Sequence, residues 1–104
     1  MPLSNLDQSE REIVRQCLSA TVNGPFFPEW EFHTLFGMER DEVESILESW
    51  PDLNEANVAV QLAINNSLGN LIGFPHGREK EWPHFISVSS EAVEGIFRKW
   101  RQNV

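Results

Sequence analysis

Three histidines, His33, His76 and His84, are the side chains best suited to chemistry in this sequence. Imidazole next to carboxylate is the usual equipment for binding a divalent metal or moving a proton, and Glu29, Glu79 and Glu81 are close to these rings along the chain. However, no two histidines fall at the i, i+4 spacing that sets two imidazoles over a zinc ion on one helix face, and no cysteine pair adds a ligand. No metal or cofactor is therefore expected, and His33, flanked by aromatic residues, is expected to be a packed ring hydrogen-bonded to backbone. Catalytic triads, phosphate-binding glycine loops and redox motifs are absent. Carboxylates are numerous, but on a solvated helix face they stay close to their ordinary acidity and make poor acids and bases. No catalytic residue is assigned.

Three aromatic–proline elements recur: Phe26-Phe27-Pro28, Phe74-Pro75-His76 and Trp82-Pro83-His84. Brought together, they would form an apolar pocket with polar groups at its rim, the usual composition of a ligand site. Phe27, Trp30, His33, Asn66, His76, Trp82 and His84 are its candidate residues. The same elements serve equally well as rigid turns that anchor loops to the core. Asn65, Asn66 and Asn70 stand out in an otherwise apolar stretch, where a buried amide without a partner costs roughly 1–3 kcal/mol. They are expected to bond the backbone of the proline-rich loops, or to contribute one amide to the pocket.

Charge gives the stronger signal. Between Glu29 and Glu55 nine acids face one base, Arg40, a local balance of −8 that equals the net charge of the whole chain. Such an excess argues against a phosphate backbone or an anionic membrane, both of which attract Lys and Arg. It fits a basic protein partner steered by opposed potentials, or solubility alone. Asp41, Glu42, Glu44, Glu48 and Asp52 are the candidate partner-binding residues. The segment 29–49 also has the outline of a helix-turn-helix, but acids stand where a DNA-reading helix carries Arg, Lys, Asn or Gln, so an ordinary helical hairpin is expected.

The elements that must position these groups read as helices throughout. A first helix over 7–22 can open on a capping box, Asp7 with Glu10 or Ser9 with Glu12. It presents Ile13, Val14, Cys17, Leu18 and Val22 at helical spacing and stops at Asn23-Gly24-Pro25, with Gly24 in a left-handed cap. Pro28 suits the start of a short, half-sunk second helix that Gly37 ends. A third helix, 39–49, turns Val43, Ile46, Leu47 and Trp50 inward and Asp41, Glu44 and Glu48 outward. A fourth, 55–72, is apolar over most of its circumference and is expected at the centre; its NVAVQLAI stretch could also alternate as a strand. Residues 74–89 read as an ordered, Pro/His-rich loop with a short extended piece at Phe85, Ile86 and Val88. A last helix, capped by Ser89 or Ser90, packs Val93, Ile96, Phe97 and Trp100. The fold class predicted is all-α, a compact bundle of about five helices in a single domain, 1–104.

Composition agrees: 40% of residues are apolar and 11% aromatic, a globular balance. Cys17 is alone, so no internal disulfide is expected, and its place on an apolar face makes it a small buried hydrophobe. MPLSNLDQSERE lacks the basic and apolar regions of a secretion signal. No run approaches the ~18 apolar residues that span a bilayer. A cytoplasmic location is expected, which leaves the Asn65-Asn66-Ser67 sequon without meaning.

The run GPFFPEWEFHTLFG (24–37), followed by RDEV (40–43), and the later NNSLGNLIGFPHG (65–77) resemble a group of small bacterial proteins of about this length. The similarity covers most of the chain. It implies a bacterial cytoplasmic origin and a compact helical fold; it carries no assigned activity, so no functional residue is transferred. Together these readings lead to a non-enzymatic interaction protein, with an immunity protein or antitoxin that masks a basic toxin surface as its most concrete form. A small-molecule or metal-binding domain and a self-associating helical scaffold are the alternatives.

Overall fold

The computed structural model describes residues 2–102. A 3₁₀ turn, Pro2–Asn5, precedes α1 (Gln8–Asn23), α2 (Glu29–Phe36), α3 (Arg40–Glu48) and α4 (Val58–Gly73). A second 3₁₀ turn, Glu79–Glu81, leads into the one-turn helix α5 (Trp82–Phe85), and α6 (Ser90–Arg101) closes the order. Among the described residues there is no strand, so the fold is all-α. α4 packs against α1, α2, α3 and α6, while α1 also covers α3 and α5, so α1 and α4 share the centre.

Local chemistry sets most of the boundaries. Of the two possible capping boxes at α1, Asp7 with Glu10 forms: Asp7 accepts the Glu10 N–H at 2.8 Å and Glu10 accepts the Asp7 N–H at 3.0 Å. Gly24 ends α1 in extended geometry (φ −88°, ψ 171°), not in the left-handed cap expected. Glycine is required there by close approach, since a Cβ would lie 2.6 Å from the Ala20 carbonyl oxygen and 2.8 Å from the Phe26 ring. Gly37 does adopt the left-handed cap of α2, at φ 69°. α4 starts later than expected, because Asn57 accepts the Ala59 N–H and caps it. Ser89, not Ser90, caps α6 through the Ala92 N–H.

Two expectations fail in the second half of the chain. Residues 79–85 are helical, since Pro83 occupies the first turn of α5, where its missing N–H costs nothing; of the short extended piece expected at Phe85, Ile86 and Val88, Phe85 belongs to α5 and Ile86 is extended (φ −126°, ψ 124°). The strand alternative for NVAVQLAI is also excluded. Val58 and Leu62 do not face the core but are 66% and 37% exposed, because α4 leaves one side uncovered at its N-terminal half.

The buried apolar side chains form one continuous cluster that includes Val14, Leu18, Phe26, Phe32, Phe36, Val43, Ile64, Leu68, Ile86 and Val93. Each side chain of this size removed from water contributes roughly 1.5–3 kcal/mol. Phe27, Phe32 and Phe36 join their rings in this core, with Phe32 and Phe36 stacked at 4.3 Å between centroids. Cys17 is fully buried within it, and burial pushes its thiol up to about 12.

Candidate functional site

The acidic segment folds around its lone base. Arg40 stands in the first turn of α3, and its guanidinium reaches back over three earlier elements. Nη1 donates to the Thr21 and Val22 carbonyls at 2.8 and 3.2 Å, Nη2 to the Phe27 carbonyl at 2.7 Å, and Nε to the Glu29 carboxylate at 2.9 Å. The guanidinium carbon Cζ lies over the Phe32 ring, 4.4 Å from its centroid. With the Gly24 N–H on the Ala20 carbonyl, Arg40 thus helps to satisfy the orphan carbonyls at the end of α1, taking those of Thr21 and Val22. It also locks the 24–28 turn and the starts of α2 and α3 together.

Beside this clamp lies an open depression of about 400 Å³, lined by Val22, Asn23, Glu29, Glu39, Arg40, Asp41 and Glu44. Glu29 is held by Arg40. Glu39 Oε1 accepts from His33 Nδ1 at 2.5 Å, and the His33 side chain is exposed, so the ring is paired with a carboxylate and not packed against backbone as expected. Asp41 and Glu44 belong to no ion pair among the described residues. Together with Glu48 they occupy the face of α3 opposite buried Val43, as their three- and four-residue spacing requires. Glu42 is exposed but spends its carboxylate on the Glu39 N–H at 2.8 Å, capping α3. Asp52 is exposed beyond the end of that helix and does not border the depression. Glu55, counted with the acidic segment, is buried instead: its carboxylate accepts the Leu3 N–H at 3.1 and 3.3 Å, tying the N-terminal 3₁₀ turn to the start of α4.

Trp30 departs furthest from expectation. Read as half-sunk in the core and as part of a pocket, it is 80% exposed, because Phe32 and Phe36 take the inward face of α2. It follows Glu29, which borders the depression, and precedes His33 by one turn, whose ring is bonded to Glu39.

The three aromatic–proline elements do converge. Phe26 is their hub, with edge-to-face contacts to His76, Trp82 and Phe85 at centroid distances of 4.9, 6.0 and 5.7 Å. Over them opens a cleft of about 410 Å³ lined by residues 71–76, Glu79, Trp82, Pro83 and residues 89–91. His76 and Trp82 are the two pocket candidates that line it. His76 Nδ1 accepts the Arg78 N–H at 2.9 Å, which leaves Nε2 as the protonated nitrogen, 3.3 Å from the Leu71 carbonyl oxygen. Trp82 Nε1 donates to the Val88 carbonyl at 2.7 Å. The other candidates lie elsewhere. Phe27 is buried in the core, and His84 is exposed beside Glu81 at 3.3 Å. Asn66 donates to the Phe36 carbonyl at 2.9 Å, as Asn70 does to Leu35 at 3.1 Å. These asparagines do bond backbone, but at the C-terminal end of α2 and not in the proline-rich loops.

Arg40 as a clamp and Glu79 and Glu91 as cleft residues were missed in the sequence. Arg40 had a signal, since a single base among nine acids is placed to be shared. Glu79 was noted only as a carboxylate near the histidines along the chain, and Glu91 had no signal, since nothing local links it to residues 71–83. Among the described residues no group of three His, Cys, Asp or Glu side chains could hold a metal ion, and no helix is long and apolar enough to cross a membrane. No family model, curated protein or solved structure matches the chain.

Proposed function

We propose that this chain is a non-enzymatic interaction protein whose acidic α2–α3 surface docks onto a basic protein partner, most concretely as an immunity protein or antitoxin of a bacterial cytoplasm that masks a cationic toxin surface. One combination supports the reading: Asp41 and Glu44 border the depression beside Glu29 and belong to no ion pair among the described residues, and Trp30, the next residue after Glu29 in α2, is 80% exposed. An indole left in water forgoes roughly 1.5–3 kcal/mol of burial, and Trp is among the residues most enriched at interface hot spots. In this division of labour the carboxylates accelerate encounter and fix orientation, while Trp30 supplies the desolvated anchor. Arg40 and the His33–Glu39 pair hold the scaffold beneath them.

The test is association with the product of a neighbouring toxin-like reading frame, measured by stopped flow across a salt series. Glu44→Lys with Glu48→Lys is expected to slow association about tenfold at low salt and to flatten its salt dependence. Trp30→Ala is expected to speed dissociation about tenfold or more while leaving the association rate nearly unchanged. An association rate that the double reversal leaves unaltered at low salt overturns the proposal.

A further inference from the structure

The cleft over the aromatic–proline loops has a chemistry that the docking surface does not use, and it lies on other elements: the end of α4 and the loop after it, the second 3₁₀ turn, α5 and the start of α6. Its walls are apolar and aromatic, from Leu71, Ile72, Phe74 and Trp82. Its charged side chains are two carboxylates, Glu79 and Glu91; neither belongs to an ion pair among the described residues, and neighbouring Arg78 and Lys80 do not border the cleft. Both ring nitrogens of His76 and the indole N–H of Trp82 are engaged within the chain, and the two rings stack at 6.4 Å, so they line the cleft with aromatic surface and offer no free donor. The contacts around Phe26 hold the walls in place before anything binds, which lowers the ordering cost of binding. The size, about 410 Å³, falls in the ordinary range for small-molecule sites.

From this we infer that the cleft binds a small organic cation: an ammonium group set between Glu79 and Glu91, on an apolar or aromatic body that packs against Phe74 and Trp82. The site fits a cation on three counts. Aromatic faces attract cations through their quadrupoles, the two carboxylates supply the countercharge, and the chain's net charge of −8 raises the local concentration of cations around it. A neutral ligand would leave both carboxylates unused, and an anion would be repelled by them. The inference does not depend on the docking proposal, since the two surfaces share no residue.

Phenethylamine is the probe, with 2-phenylethanol as a neutral analogue of similar size and 3-phenylpropionate as the anion. Each is titrated into the 104-residue chain at physiological salt, with binding followed by amide chemical shifts. Phenethylamine is expected to shift amides at 71–77 and 89–91 and to bind about fivefold tighter than 2-phenylethanol, with 3-phenylpropionate weakest. Glu79→Gln with Glu91→Gln, both at exposed positions, is expected to remove the preference for the amine while 2-phenylethanol binds as before. Should the double variant fail to fold, Glu79→Gln alone is expected to reduce the preference. Equal binding of amine and alcohol to the native chain overturns the inference. So does an amine preference that survives loss of both carboxylates, amine shifts confined to Asp41, Glu44 and Glu48, or no binding of any probe at millimolar concentration.

Discussion

The side-chain amide of Asn66 donates to the backbone carbonyl of Phe36 across 2.9 Å, joining α4 to the end of α2 over thirty residues of sequence. Asn70, one turn further along α4, does the same for Leu35, and Asn65 Nδ2 donates to the side-chain Oδ1 of Asn66 at 3.1 Å and orients its amide. The last carbonyls of a helix have no partner within it, and these amides supply one where Gly37 turns the chain away. Asn66→Ala is therefore expected to cost about 1–2 kcal/mol in urea unfolding, and Asn65→Ala clearly less. Because Asn66 and Asn70 serve one helix end, their double variant should depart from additivity. Equal losses at Asn65 and Asn66 would contradict this assignment.

Arg40 is expected to resist even its most conservative replacement. Lysine cannot reach the Thr21, Val22 and Phe27 carbonyls and the Glu29 carboxylate at once, nor place a delocalised planar cation over the Phe32 ring. Arg40→Lys should lose about 1–2 kcal/mol and Arg40→Ala about 2–4 kcal/mol in the same assay. Glu29→Gln should lose less than about 1 kcal/mol, because the Glu29 side chain is 74% exposed and its pairing is screened by water.

Cys17 provides a report on opening of the core. Its side chain is fully buried and its thiol is pushed up to about 12 by burial, so thiolate is scarce and out of reach at pH 8. Reaction with an aromatic disulfide reagent is expected to be on the order of a thousandfold slower in the native protein than in urea, since it must wait for unfolding. Rapid native-state labelling would show that α1 opens locally.

Acid should destabilise the protein through the start of α1. The Glu10 and Ser9 hydrogen bonds hold Asp7 below its ordinary 3.8, Lys99 holds Glu10 below 4.5, and Arg15 holds Glu12 below 4.5. The unfolded chain thus takes up protons at a higher pH than the folded one. The stability these groups contribute is complete above their unfolded values and is lost as pH falls through the lowered folded values. The melting temperature is expected to hold from neutral pH to about 5 and to drop progressively below about 4.5. Glu10→Gln, which removes the Lys99 pairing at 2.7 Å, should make that drop shallower. A variant with an unchanged acid limb would show that Glu10 takes no part in it.

What the sequence determined by itself is what short-range physics controls. Helical spacing of Ile13, Val14, Cys17 and Leu18, a capping box at the start of α1, a serine cap on α6 and the stop at Gly37 all concern groups within about one turn of each other, while the choice of Asp7–Glu10 over Ser9–Glu12 and of Ser89 over Ser90 came with the fold. The outward turn of Asp41, Glu44 and Glu48 is of the same kind, since one helix and its periodicity suffice to fix it. Tertiary structure decided everything that needed a partner far along the chain. Leu3 and Glu55 meet across 52 residues, so an acid grouped with the exposed ones became buried. Arg40 found the Thr21 carbonyl 19 residues back, so the one base of the acidic segment became a clamp. Phe32 and Phe36 filled the inward side of α2 and left Trp30 in solvent, while Phe26 gathered two proline loops separated from it by about half the chain. Residue types limit which groups can pair, but which of them do pair is chosen by the packing of whole helices, where burial of many side chains at once outweighs the preference of any single one.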